Sequence, residues 1–293
     1  MTREPSHLKS GASDLDYAGV ARYWKSARPS ILGPYMMDDF GFPAGAGQFR
    51  FRAEKKIVAR LMSRCDHAGT ALDLGSGIGH WTEFFAHQFA QVVAVEASPQ
   101  LFNALEERCG SLPNTTLLHQ NARSFRPRQD YEIVFTGGLL MYLNDSDVVD
   151  LLRKLRPRLG PENLVICRES TIRDGSLTRN GAYQVIYRSV PTYERMFQEA
   201  GFEVISVEPN LPYILMQMGC ELVKGWKRMV PRQFQALPVV GRLTYIALRL
   251  GNSWITRMPA ILGLAFPELT NHFFVLQPGN KNRPQPAMGT AGS

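Results

Sequence analysis

The chain has 293 residues, 44% of them hydrophobic and 20% charged, a balance that supports one sizeable core and excludes disordered and collagen-like classes. Its 33 Lys and Arg against 26 Asp and Glu leave a net charge of +7, which favours anionic partners without naming one. Four scattered cysteines match neither a paired zinc pattern nor a disulfide framework, the start MTREPSHLKSGASD lacks the apolar stretch of a signal peptide, and the longest charge-free apolar runs near the C-terminus reach about half of the ~20 residues of a membrane span. These features predict a cytoplasmic chain.

Residues 1–48 read as an N-terminal extension, and apolar spacing from Phe51 to Met62 predicts a first core helix. A strand from Thr70 to Leu74, a glycine turn from Gly75 to Gly79 and a helix from His80 to Gln88 follow, which is the opening of a nucleotide-binding α/β unit. Further strands are expected at Gln91 to Glu96, Thr115 to His119, Tyr131 to Thr136 and Asn163 to Cys167, with helices at Pro99 to Cys109 and Asp145 to Leu159. A helix from Val190 to Ala200 ends at Gly201, before strands at Glu203 to Glu208 and His272 to Leu276. The alternation predicts a Rossmann-like, seven-stranded, mainly parallel sheet with helices on both faces, an N-terminal helical cap and a helical insertion before the last strand. The α/β domain proper is read as residues 49–278, the insertion as 211–268, and a disordered tail as 279–293.

Chemistry concentrates in Ala71-Leu72-Asp73-Leu74-Gly75-Ser76-Gly77-Ile78-Gly79, a strand that leads through three glycines into a helix. Glycine admits positive φ and leaves no Cβ between backbone and ligand, and the helix start offers free amide donors. Glu96 ends the next strand 23 residues after Asp73, near the ~20-residue offset at which an acid accepts from ribose hydroxyls. The spacing is not that of the dinucleotide fingerprint G-x-G-x-x-G.

This loop and acid resemble the class I S-adenosylmethionine-dependent methyltransferases, over roughly residues 50–210 and the closing strand near 272. The resemblance implies S-adenosylmethionine as cofactor, with Asp73, Gly75, Ser76, Gly77 and Gly79 along its methionine and ribose side and Glu96 on the ribose hydroxyls. It places Ala97, Asn121 and Ala122 around the adenine, and Gly137 and Gly138 where backbone carbonyls meet the cofactor ammonium. Asn121 stands where that family commonly has an acid, and its amide oxygen still accepts.

A narrower layout is similar to the protein N-terminal methyltransferases: Tyr23-Trp24-Lys25 ahead of the loop, His80 behind it, and Leu140-Met141-Tyr142-Leu143. The chain departs from that family at His80, usually Arg, at Tyr142, usually His, and at Arg168-Glu169-Ser170, where a Lys-Asp-Asn signature is usual. These departures argue against a peptide N-terminus as acceptor.

Strand ends place Tyr142, Arg168 and Glu169 toward an acceptor crevice, with Glu169 the first candidate for a general base and His80 the second. An ion pair of Glu169 with Arg168 or Arg173 is the structural alternative. The insertion holds Lys224, Lys227, Arg228, Arg232, Arg242, Arg249 and Arg257 against Glu221 and Glu268, interleaved with Trp226, Phe234, Tyr245, Ile246, Leu248, Leu250 and Trp254. That mixture suits a small-molecule acceptor that is lipophilic or phosphate-bearing, or peripheral contact with an anionic membrane; a basic helical lid is the plainer reading. A protein or RNA acceptor, or a non-catalytic cofactor-binding role, are the alternatives, with nucleic acid disfavoured by the absence of a stacking motif.

Overall fold

The computed structural model describes residues 14–26, 45–181, 183–231, 238–262 and 267–279. Phe234, Arg232 and the tail from 280 lie outside these residues, as do residues 1–13 and 27–44 of the N-terminal extension. A short helix α1 (Tyr17–Lys25) and the longer α2 (Gly45–Leu61) precede the sheet. β1 (Thr70–Leu74), β2 (Gln91–Glu96), β3 (Thr115–His119), β4 (Ile133–Thr136) and β5 (Leu164–Ile172) follow, with α3 (His80–Ala86), α4 (Pro99–Cys109) and α5 (Asp145–Leu155) between them. All five strands pair in parallel, in the order β3-β2-β1-β4-β5. The β-branched runs VVAVE of β2 and LVIC of β5 are buried along their lengths, as expected of strands covered on both faces.

The far half of the sheet is antiparallel. β9 (Thr270–Pro278) runs against β5 from Val165 to Thr171, and β8 (Phe202–Pro209), reached through α6 (Val190–Glu199), pairs with the outer edge of β9. These seven strands are those expected, but the sheet has nine. The added pair is a hairpin, β6 (Ser176–Arg179) and β7 (Val185–Ser189). Its β7 joins the extended end of β5 at Thr171 and Ile172 in parallel. Thr171 also faces Thr270 of β9, so the hairpin lies on the β4 side of β5, beyond the carboxyl end of β4. The turn signal Asn180-Gly181 between two β-rich runs is the mark of this hairpin in the sequence.

The helix expected from Asp145 to Leu159 stops at Leu155 and tightens into a 3-10 turn at Arg156–Arg158, because Pro157 cannot donate its backbone N–H. The insertion is two helices, α7 (Leu211–Met229) and α8 (Pro238–Ile261), and no helix among the described residues is long and apolar enough to cross a membrane. Leu72, Leu74, Val134, Val165, Leu152 and Phe197 centre the core on one sheet face, and Val58, Phe85, Phe135 and Ile166 centre it on the other. All four cysteines are buried thiols.

Candidate functional site

The glycine loop sits at the carboxyl edge of β1, where it is held from beneath. The N–H groups of Gly75 and Ser76 both donate to Val95 O, at 2.8 and 3.1 Å, and Ser76 Oγ donates to Asp73 O at 2.8 Å. Two of its glycines are required for opposite reasons. Gly79 has φ of 85°, and a Cβ there would stand 2.9 Å from Leu105 Cδ1 and 3.0 Å from Cys109 Sγ, so packing of the loop on α4 demands it. Gly77 has φ of 57°, and a Cβ there would meet nothing within 4 Å. The backbone at Gly77 therefore opens onto free space at the sheet edge, a cradle suited to a ligand lying on the main chain.

Glu96 borders this cradle. Its Oε2 accepts from Gly77 N (2.8 Å), and its Oε1 accepts from Ala97 N (2.9 Å) and Ser98 N (2.8 Å). Three of about four carboxylate acceptor sites are filled, so a ribose diol bound through both hydroxyls competes with the Gly77 N–H for Oε2. Burial raises the Glu96 carboxyl above its ordinary range, and the Ser98, Gly77 and Ala97 N–H groups oppose that rise. Asp73 is also buried, and burial pushes it up to about 7. Its Oδ2 accepts from Thr82 Oγ1 at 2.7 Å, so it orients the start of α3 beside the loop. Thr82 has no signal in a motif-level reading of the sequence.

At the end of β3, His119 Nε2 lies 3.2 Å from Ala97 O and its ring stacks on Phe102. Asn121 Oδ1 accepts from Arg123 N at 2.9 Å, so the amide closes a local turn, and Ala122 is buried. Gly137 and Gly138 end β4, with Gly138 at φ of 90°. The residues from Asp73 to Gly138 thus lie along one stretch of the carboxyl edge.

The two candidate bases behave differently from the sequence reading. Glu169 is 0% exposed. Its Oε1 accepts from Leu140 N (3.0 Å) and Thr136 Oγ1 (3.4 Å), and its Oε2 from Met141 N (3.3 Å). Burial pushes its carboxyl up to about 7, against those backbone donors. From the other side of the 3-10 turn Leu140–Tyr142, the fully buried Arg188 donates to Leu140 O (2.9 Å) and Leu143 O (2.6 Å) and pairs with Asp145. Glu169 and Arg188 therefore clamp the turn that carries Tyr142, and the carboxylate is enclosed rather than turned to an acceptor. Its ion-pair alternative is replaced as well, since Arg168 pairs with Glu54 and Arg173 with Asp174. His80, at the start of α3, packs on Phe51. Burial and the nearby Arg108 lower its imidazole to about 4, so it is neutral near pH 7.

Above the turn the structure brings together four rings from three segments. Tyr23 and Trp24 of α1, Tyr142 and Tyr183 form a closed cycle, with neighbouring centroids 5.4, 5.3, 6.0 and 5.0 Å apart and every contact edge-on. The Tyr142 and Tyr183 hydroxyls hydrogen-bond at 2.8 Å. Trp24 O accepts from Ser98 Oγ at 2.9 Å, which ties the quartet to the residues behind Glu96. Leu15 N donates to Asn144 Oδ1, and Tyr17 OH accepts from Asn144 N and bonds Asp147, so α1 is docked along its length. Tyr183 lies on the hairpin absent from the sequence reading.

A family model described as a methyltransferase domain matches residues 71–162, the span from β1 through the glycine loop, Glu96 and the Tyr142 turn. The alpha N-terminal protein methyltransferase 1 of Drosophila melanogaster is 27% identical over 198 residues, covering 64% of this chain and 68% of that protein. Phosphoethanolamine N-methyltransferase 3 of Arabidopsis thaliana is 26% identical over 169 residues, which cover 57% of this chain but 34% of that longer protein. Among solved structures, a SAM-dependent methyltransferase from Leishmania major superposes with a TM-score of 0.54 at 18% identity, covering 66% of this chain and 76% of that one, a likeness of fold. The matched span is the same one in which an open cradle at Gly77 meets a strand-end carboxylate at the switch point of a parallel sheet, and the chain is accordingly an S-adenosylmethionine-dependent methyltransferase, similar to those of the class I superfamily.

Proposed function

We propose that the chain methylates an amine nitrogen of a small-molecule acceptor that enters through the Tyr23, Trp24, Tyr142 and Tyr183 quartet. The observation that carries this reading is the quartet itself, four aromatic rings tied through Ser98 to the cofactor cradle. The cofactor supplies an electrophilic methyl group on a sulfonium. A neutral amine attacks it through its own lone pair, and the ammonium product is favoured over ring faces and against tyrosyl hydroxyls. An alcohol would ask more of the protein, because its proton must be taken as the bond forms. Glu169 spends its carboxylate on backbone N–H groups, and His80 is too weakly basic for that task.

In this reading Gly77, Glu96 and the Ala97 to Ala122 region hold the ribose and adenine. Glu169 and Arg188 are positioning residues for the Tyr142 turn. The rings pack edge-on against one another, so an acceptor has to part Tyr23 and Trp24 from Tyr142 and Tyr183. Similarity to proteins named for N-methyl transfer is consistent with the choice of nitrogen. The departures at His80 and Tyr142 direct it to a small molecule rather than a peptide N-terminus.

The test is transfer of a labelled methyl group to a panel of small amines, alcohols, phenols and carboxylates, with the methylated atom assigned by mass spectrometry and NMR. Methyl on nitrogen, with turnover reduced by Tyr142→Phe and Tyr183→Phe at unchanged cofactor affinity, supports the reading. A product that is exclusively an ether, an ester or a C-methyl compound overturns it.

A further inference from the structure

The helix pair of the insertion carries a surface that the methyl-transfer site does not use. One side of α8 packs inward: Tyr245 lies edge-on to Phe49 of α2, Arg249 covers the same ring, and Thr256 and Pro259 are buried. At about 100° per residue, Leu243, Ile246, Leu250, Trp254 and Ile261 fall within roughly 40° of a single line on the opposite side, with Arg257 among them. All six are exposed, Leu250 by 82% and Trp254 by 68%. Leu222 and Met229 of α7 and Leu262 after α8 are exposed too. A helix with one apolar stripe is explained by its own core. This one has a second stripe, facing solvent for about five turns.

The charge on α8 has one sign: the helix contains no acidic residue, Arg257 lies within the stripe and Arg242 beside it, while Arg249 turns inward over Phe49. We propose that this face of α8 docks on an anionic lipid bilayer, its aliphatic and Trp side chains entering the headgroup boundary while Arg242 and Arg257 meet lipid phosphates. The chemistry fits an interfacial helix, with a polar basic flank beside Leu, Ile and Trp, and it fits a nucleic acid poorly, because phosphate backbones offer nothing to a row of aliphatic side chains. The surface is separate from the cofactor cradle, and the inference stands independently of which atom is methylated.

The experiment is co-sedimentation of the full chain with vesicles of phosphatidylcholine alone, or with about a quarter phosphatidylglycerol, at low and high salt. Sedimentation with the anionic vesicles at low salt, and far less with the neutral ones, is the expected result. Leu250→Asp with Trp254→Asp, and separately Arg242→Glu with Arg257→Glu, should each weaken it by at least about tenfold, while cofactor affinity by calorimetry stays at the wild-type value and certifies the fold. High salt should weaken the unsubstituted chain in the same way, a readout that needs no variant. No sedimentation with anionic vesicles overturns the proposal, as does sedimentation indifferent to both double substitutions. Concentration-dependent dimerisation abolished by Leu250→Asp, or RNA retention abolished by Arg242→Glu and Arg257→Glu, overturns it when vesicles are not bound.

Discussion

The two halves of the sheet build their edges by different means. From β3 to β4 the edge is made of one loop, one strand-end acid and backbone N–H groups, those of Ala97 and Ser98 one and two residues from Glu96 and that of Gly77 nineteen. From β5 to β9 it is made of side chains that are distant in the chain. Arg168 of β5 donates to Glu54 of α2, as does Asn210 ahead of α7, which also donates to Asn271 of β9. Arg50 completes the ion cluster, and Tyr213 lies under both guanidiniums. Local backbone forms the proposed cofactor cradle. Long-range buried polar contacts shape the other half, and each must be matched by its partners, because an uncompensated buried charge is costly.

That contrast is broken most severely at Glu54. Replacing it with Ala takes away the fully buried carboxylate between two buried guanidiniums, and breaking such a cluster costs about 3–5 kcal/mol. Chemical denaturation should show a loss of that size. A variant within about 1 kcal/mol of wild type would mean that the antiparallel half does not depend on this cluster.

The glycine loop sharpens the comparison within a single turn. Gly79→Val combines a left-handed backbone conformation with a Cβ driven into Leu105 and Cys109, so stability should fall by about 2–4 kcal/mol from strain and overpacking together. Gly77→Val has similar strain but no packing clash. It should lose less stability, about 1–2 kcal/mol, while cofactor binding by calorimetry is abolished because the side chain fills the cradle. If both variants bind S-adenosylhomocysteine normally, the cofactor does not lie on this loop.

The same contrast explains what is legible in the sequence. Asp73, the three glycines and Glu96 stand out because their roles depend on local spacing, and the structure brings them together at one edge. The β6 and β7 hairpin escapes periodicity because SLTR has a single large apolar residue and VIYRS, buried at every position, runs straight into α6, although Asn180-Gly181 marks its turn. Glu169 reads as a base in the sequence, yet an acid at a strand end is also what a neighbouring turn needs when its N–H groups point inward, as those of Leu140 and Met141 do. Nothing local distinguishes the two, since the deciding partners, Leu140 and Arg188, are 29 and 48 residues apart from Glu169 and Leu140 respectively. The outward stripe of α8 is hidden differently: both its faces are apolar, and only packing separates the buried one from the exposed one.

A smaller effect is expected at Glu96, where substitution tests the local half alone. Glu96→Ala should weaken S-adenosylmethionine and S-adenosylhomocysteine binding by about 1.5–3 kcal/mol, the range for hydrogen bonds to a charged group. The Gly77 amide supplies a second measurement. It donates to Glu96 Oε2 in the structure, so its NMR resonance should shift on cofactor binding in the wild-type chain and respond less in Glu96→Ala. An unchanged dissociation constant in that variant would remove Glu96 from the ribose site.

The smallest effect is expected at His80, and its pH dependence separates a structural imidazole from a catalytic one. Burial and Arg108 hold the folded imidazole at about 4, below the ~6.5 of an unperturbed histidine. Between those values the unfolded chain binds the proton more readily than the folded one. The histidine's contribution to stability is therefore complete above about pH 6.5 and is lost as pH falls toward 4. Buried Asp73 and Glu169, both raised to about 7, act in the opposite sense, losing stability as pH rises from the ordinary carboxylate range toward 7. Only a difference measurement isolates His80. Relative to His80→Gln, the wild-type chain should lose stability on acidification from pH 7 to 5, since glutamine has no proton to gain. Methyl transfer between about pH 7 and 9 should have the same profile in both chains, because a group with so low a pKa stays neutral throughout and removes no proton from the acceptor. A limb of the rate profile present in the wild-type chain and absent from His80→Gln would restore His80 as the base and would displace the amine reading, which relies on an acceptor that brings its own lone pair.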